Sequence, residues 1–327
     1  MKKKIAVFTL CAILYALCAF AQAQQLKNVA RIGYLSGLPS SANPERVEAL
    51  RQGLREIGYV EGQNIAIEYR WGEGRFDRLP KLAAELVGLK VDVIVTHGEA
   101  GIRALKRVTK TIPIVVAVTG DLVATGHAAS LARPGGNVTN FVDTSPDLSG
   151  KRLELLREVV PSLSRAAVVW NGANPVKVLD FKETEIAAHA FGLTLLSLEV
   201  KAPKDFEDRF KAATTQGSGA LVVLQDTLTI SNARAIVDFA TKSRLPAMYG
   251  SSEFVDVGGL MSYAANFSDL FHRAAVYVEK ILNGARPADL PVQQPAKFEF
   301  IINLKAAKQI GLTIPPNVLA RADRVIR

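Results

Sequence analysis

The residues able to do chemistry in this chain gather in short polar strings, each placed directly after a β-branched run. Ser36-Gly37 follows one such run, Thr96-His97-Gly98-Glu99 another, and Thr119-Gly120-Asp121 a third. Further along, Asn171-Gly172, Gln225-Asp226-Thr227 and Gly250-Ser251-Ser252-Glu253 stand in the same relation to the runs before them. Small hydroxyls and glycines just ahead of a helix leave backbone N–H groups free, which suits a carboxylate or another anion. Glu99, Asp121 and Asp226 offer the opposite charge, for an ammonium or a hydroxyl group. Read singly, each string is an ordinary N-cap or tight turn; read together they form a set of candidate ligand contacts. Phe141 and Tyr249, with Tyr34 and Trp71, lie near the ends of runs and add candidate stacking faces.

Catalytic chemistry is less well supported. Ser36, His97 and Asp121 make a Ser/His/Asp set on paper, but no Gly-x-Ser-x-Gly elbow occurs. The four histidines, His97, His127, His189 and His272, are too far apart in sequence for a helical metal pair. Arg133-Pro134-Gly135-Gly136-Asn137 is a turn and not a phosphate loop. The expectation is a binding protein with no catalytic residue, no metal and no cofactor.

The elements that must carry these strings alternate regularly. Strand patterns at Ala30–Ser36, Asn64–Tyr69, Val91–Thr96, Ile112–Val118 and Asn137–Phe141 are separated by helical patterns, among them Pro44–Ile57, Ala100–Val108 and Leu122–Leu131. The cycle restarts after Ser149, with strands at Ala166–Trp170, Leu193–Val200, Ala220–Leu224 and Pro246–Tyr249 and a long helix at Ile230–Ser243. Closing helices are expected at Leu304–Ile310 and Val318–Val325. Such alternation implies an α/β fold of two doubly wound parallel-sheet lobes. Ligands of such sheets bind outside the carboxyl ends of the strands, where the polar strings lie.

The amino terminus reads as an export signal over residues 1–23. Met1-Lys2-Lys3-Lys4 precedes an uncharged apolar run from Ile5 to Phe20, and Ala21-Gln22-Ala23 fits a small-x-small cleavage site. Both cysteines, Cys11 and Cys18, fall inside this leader, so the mature chain would hold neither disulfide nor thiol. The net charge of +9 includes Lys2, Lys3 and Lys4, which leaves +6 on the body, interspersed with acids. Scattered charge without interleaved aromatics argues against a nucleic-acid partner. A helix-turn-helix module at the amino terminus is excluded by the leader that occupies that place.

Longer strings carry a resemblance. Arg31-Ile32-Gly33-Tyr34-Leu35-Ser36, Gly53 through Asn64 (GLREIGYVEGQN), Ser130 through Thr139 (SLARPGGNVT) and Gly258-Gly259-Leu260-Met261-Ser262-Tyr263 are similar to the ABC-transporter substrate-binding proteins of the type that includes tryptophan/tyrosine-binding members. The chain departs from that pattern at Leu122, where Gly-Asp-Pro-Val is usual, at Asn140, where Val-Thr-Gly is usual, and at His127, where leucine is common.

The resemblance implies a two-lobed periplasmic binding protein of type I, with lobe 1 at residues 24–145 plus about 258–290 and lobe 2 at 146–257 plus about 291–327. Three crossovers are expected near Phe141–Gly150, Phe254–Gly259 and Ala285–Lys297. The ligand would lie in the cleft, and hinge closure would present it to an ABC permease in the inner membrane. A monomer is expected, taking an aromatic or apolar carboxylate or amino acid. The alternatives are a periplasmic sensory subunit for a membrane receptor and an exported hydrolase.

Overall fold

The computed structural model describes residues 29–42, 44–142, 147–295 and 297–327. The expected export signal lies outside the described residues. The first half contains β1 (Ala30–Ser36), α1 (Pro44–Glu56), β2 (Ile65–Trp71), α2 (Leu79–Gly88), β3 (Val93–His97), α3 (Gly98–Val108), β4 (Ile114–Thr119) and β5 (Val138–Val142). These strands form one parallel sheet in the order β2-β1-β3-β4-β5. The second half follows with α4 (Asp147–Val159), β6 (Arg165–Asn171), α5 (Pro175–Ala190), β7 (Thr194–Val200), α6 (Phe206–Thr215), β8 (Ala220–Val223), α7 (Thr227–Ser231), α8 (Ala233–Lys242), β9 (Ala247–Tyr249), α9 (Glu253–Asp256) and β10 (Met261–Ala265). Then come α10 (Phe267–Leu282), β11 (Phe298–Asn303), α11 (Leu304–Gln309), α12 (Pro316–Leu319) and β12 (Arg324–Ile326).

The second sheet has seven strands, and its run β7-β6-β8-β9-β10 repeats the 2-1-3-4-5 order of the first. Strands buried on both faces need continuous apolar sequence, and β3 (VIVTH), β4 (IVVAVT) and β8 (ALVV) are buried at every position. Each sheet is covered by two apolar layers. On the first sheet, Ile32, Tyr34 and Val95 meet α1 and α10 through Leu50, Leu54, Phe271 and Val278. Its other face packs Leu35 and Ile94 on α2 and α3 through Leu86, Ile102 and Leu105. In the second sheet only β10 and β11 pair antiparallel.

Four expectations give way to tertiary context. The helix expected at Leu122–Leu131 is a single closed turn: Asp121 Oδ1 accepts the Val123 and Ala124 N–H groups, and Gly126 turns left-handed at φ +72°. The His127 and Ala128 N–H groups both return to the Leu122 carbonyl, so no further turn can propagate. The helix expected at Ile230–Ser243 breaks at Asn232 into α7 and α8. Val318–Val325 divides into α12 and β12, because Asp323 exchanges two hydrogen bonds with the Phe300 backbone and pins the tail along β11.

Met261–Ala265, expected with the first lobe, is instead a strand of the second sheet, parallel to β9. The chain therefore crosses back at Asn266, between β10 and α10, and not at Phe254–Gly259. Phe254 is sealed in an apolar layer of the second sheet, and the Gly259 N–H returns to its carbonyl. The first crossover, expected at Phe141–Gly150, falls in part on residues outside the described set. The third spans the stretch from Leu290 to Phe298, held by Tyr277 and Arg273 of α10, which donate to the Pro291 carbonyl and the Gln293 side chain.

Candidate functional site

A 2-1-3-4-5 parallel sheet reverses its strand order beside its first strand, and the loops leaving the two strands there diverge and open a crevice. In this chain the two crevices face each other. The loops after β1, β3 and β4 form one wall of a cleft, through Leu38, His97, Gly98, Glu99, Thr119 and Gly120. The loops after β6 and β8 form the other, through Asn174, Val176, Lys177, Gln225, Asp226 and Thr227.

The two walls are in contact. Leu38, from the first half, is fully buried within an apolar layer of the second sheet, alongside Leu228 and Ile230. A Cβ on Gly120 would lie 2.0 Å from Val176 Cγ1, and one on Gly98 would lie 2.9 Å from Thr227 Oγ1. These glycines are required by close approach. Arg46 of α1 reaches across to pair with Glu253 at the start of α9, and Ser251 donates to the other oxygen of the same carboxylate. Arg46 is only 3% exposed, its guanidinium carbon 4.5 Å from the Phe267 ring centroid. The cavity left between the walls is about 30 Å³, far below the roughly 300–1,000 Å³ of small-molecule pockets.

The first wall carries unmet hydrogen-bonding capacity. Helix α3 begins at Gly98 with no side chain capping its amino end, so its first N–H groups have no intrahelical acceptor. Glu99, 4% exposed, accepts from His127 Nε2 at 2.8 Å through Oε1, with Arg103 Nε 3.7 Å away. Its Oε2 is buried with no partner. His97 shares a 2.9 Å hydrogen bond with Ser36 Oγ, which also accepts the Leu38 N–H. Burial, reinforced by the nearby charge of Arg46, lowers the His97 pKa to about 3, so its ring is neutral at ordinary pH.

The second wall is saturated. Asp226 Oδ1 accepts Asn171 Nδ2 and the Leu228 N–H, while Oδ2 accepts Asn174 Nδ2. Its own N–H donates to the Thr229 hydroxyl, and α7 is thereby capped in both directions. Asn174 in turn caps α5, where Pro175 occupies the first helical position.

Of the expected contacts, His97, Gly98, Glu99, Thr119, Gly120, Gln225 and Asp226 line the cleft. Ser36 and Thr96 lie just beneath it, Thr96 donating to the Leu35 carbonyl. A Cβ on Gly37 would lie 3.1 Å from Thr227 Cγ2 across the closure and 3.2 Å from Phe76 Cε1 on its own side. Asn171 and Ser251 face carboxylates, holding Asp226 and Glu253 in place.

Three others depart from expectation. Asp121 caps its own turn, so the Ser36–His97 pair lacks the third member of a triad. Phe141 packs edge-on against Tyr277 in the first lobe's core, and Tyr249 stacks on Phe254 in the second's. Tyr34 and Trp71 likewise pack together under the α1 face. In-strand side chains stand perpendicular to the sheet, so a ring near a strand end packs under a helix and cannot point along the strand into the cleft.

Sequence reasoning missed Arg46, Asn174, Val176, Lys177 and Ile230. Asn174-Pro175 is a readable helix start after a strand and would have located three of them. Arg46 sits in a charged helix opening, and its burial depends on Glu253, 207 positions away. Among the described residues no cluster of His, Cys, Asp or Glu could hold a metal ion, and no helix is long and apolar enough to cross a membrane.

Three similarities join this geometry. A tyrosine-binding protein of Clostridioides difficile is 24% identical over 262 residues, covering 80% of this chain and 75% of its own. A crystal structure of a conserved domain protein from Vibrio cholerae superposes with a TM-score of 0.86 at 28% identity, over 91% of this chain and all of that one. An ABC domain from Streptococcus pneumoniae in complex with L-tryptophan superposes with a TM-score of 0.85 at 26% identity, over 91% of this chain and 99% of that one. The profile of the ABC transporter substrate binding proteins matches residues 36–326, and the chain belongs to that family.

Proposed function

We propose that this protein captures a small carboxylate-bearing molecule, an amino acid or an apolar acid, in the cleft between its two sheets and delivers it to an ABC importer. The observation that carries this reading is the meeting of two strand-order reversals across a cavity closed by glycine contacts. In that arrangement nothing of amino-acid size enters or leaves, so capture requires the walls to part and close again. Among the described residues the chain passes between the sheets at Asn266 and along Leu290–Gln293, where hinge rotation concentrates. L-tryptophan and tyrosine, named for the pneumococcal structure and the clostridial protein, belong to the proposed ligand class.

The working location is the periplasm, reached through the leader at residues 1–23, and the partner of the closed form is an inner-membrane permease. The acting form is a monomer. Thermal-shift screening of the mature chain against L-amino acids and apolar carboxylic acids tests the reading. A rise in melting temperature with at least one of them is expected. No rise with any of them, on protein freed of bound ligand by unfolding and refolding, would overturn it.

A further inference from the structure

We infer that Arg46 and Glu253 form a latch between the lobes, an ion pair made only in the closed arrangement, which favours closure even without ligand. This rests on the reading that the walls part and close, and it is independent of which ligand they enclose.

Each charge is carried by one lobe alone. Arg46 belongs to α1, and its guanidinium carbon lies 4.5 Å from the Phe267 ring centroid and 5.8 Å from that of Phe271, both in α10. The helices α1 and α10 pack together on the first sheet. Phe267 directly follows the crossover at Asn266, so rotation there moves Arg46 and its two rings as one body. Glu253 opens α9, whose next residue, Phe254, is sealed in an apolar layer of the second sheet. Ser251, fully buried in the same lobe, donates to Glu253 Oε2, while Oε1 accepts from Arg46 Nη2. Two other ion pairs on the cleft walls, His127–Glu99 and Lys177–Asp180, each stay within one lobe.

Neither charge is satisfied by its own lobe. Two ring faces do not replace the water that a guanidinium loses on burial, and Arg46 Nε is buried with no acceptor. One hydroxyl does not offset the burial of a carboxylate. The attraction within the pair offsets both losses, but only while the lobes touch. When they part, water reaches both groups from a pocket of about 330 Å³ that Arg46 and Glu253 line together. Paired and closed, or hydrated and open, the two states balance opposing terms of similar size, as a releasable latch requires. Ligand enters only the open form, so the latch slows entry as well as release.

Small-angle X-ray scattering of the mature chain, freed of bound ligand by unfolding and refolding, reads the latch with no ligand present. Wild type is expected to be the most compact form. Glu253→Gln and Arg46→Met should each raise the radius of gyration, and the double variant should expand no further than either single one. Variants as compact as wild type, or expansions that add in the double variant, would overturn the latch. Stopped-flow tryptophan fluorescence with L-tyrosine as the probe adds a readout that simple damage to the cleft does not move. In Glu253→Gln, association and dissociation should both accelerate, by at least about threefold. Faster release with unchanged association would also overturn the latch. Silence of L-tyrosine with every variant would count against the ligand class of the cleft, and the scattering alone would then decide the latch.

Discussion

The loop after β3 and the loop after β8 occupy equivalent places in two sheets of the same strand order, yet they spend their carboxylates differently. In the second lobe Asp226 is held by Asn171, Asn174 and the Leu228 N–H, and the helix it precedes is capped. In the first lobe Glu99 keeps one buried oxygen without a donor, beside a helix end that nothing caps. A fold gains nothing from an orphaned buried acceptor. The second carboxylate is therefore read as structural, and the first as held for something that arrives. Repeated topology sets where a site can be, and hydrogen-bond accounting separates its working half from its supporting half.

The largest effect is expected from Asp226→Ala. It strands three donors, two of them side-chain amides packed at the cleft, at a cost of about 3 kcal/mol or more. Thermal denaturation should show a fall on the order of 10 °C. A loss under about 1 kcal/mol would remove the structural half of the contrast.

Next in size is Gly120→Ala, whose new methyl group collides with Val176 across the closure. Overpacking of this kind costs about 1–3 kcal/mol, here charged to the closed arrangement alone. Ligand affinity should fall correspondingly, with the unliganded melting temperature nearly unchanged. Adding Val176→Ala should restore much of the affinity, and independent, additive losses in the double variant would show that the two walls do not meet at this point.

Per unit of pH, the smallest effect concerns the ionisation of His97. The His97 pKa is about 3 in the folded chain against an ordinary value near 6.5, so between these values the unfolded chain binds the extra proton. Stability is unaffected by this group above about pH 6.5 and falls as the pH drops from there toward 3, by on the order of 1 kcal/mol per pH unit. His97→Gln should flatten that part of the pH–stability curve. A variant with the wild-type slope would show that the acid sensitivity arises elsewhere.

Much of this was legible before any coordinates. The alternation of β-branched runs and amphipathic stretches located every strand of the 2-1-3-4-5 repeats except β10's allegiance, and strand-end loops are where α/β sheets place their sites. Legibility failed where long-range contact decided the outcome. Val318–Val325 has helical spacing, but Asp323 pairs with Phe300 and draws the tail into the sheet. Arg46 reads as a solvated helix residue until Glu253 and Phe267 enclose it. Asp121 and Asp226 have the same local signature, a carboxylate before a helix-like segment, and only their donors tell that both are occupied. The aromatic residues misled for a geometric reason, since a ring within a strand faces a covering helix and not the strand's end.

Parallel calorimetry and thermal denaturation of Glu99→Gln and Asp226→Ala, with L-tryptophan and L-tyrosine as probes, compare the two carboxylates directly. Glu99→Gln should melt close to wild type and bind about 10- to 100-fold more weakly. Asp226→Ala should melt well below wild type while its folded fraction binds within a few-fold of the wild-type protein. Unchanged affinity in Glu99→Gln, or an affinity loss confined to Asp226→Ala, would contradict the assignment of the waiting carboxylate to the first lobe.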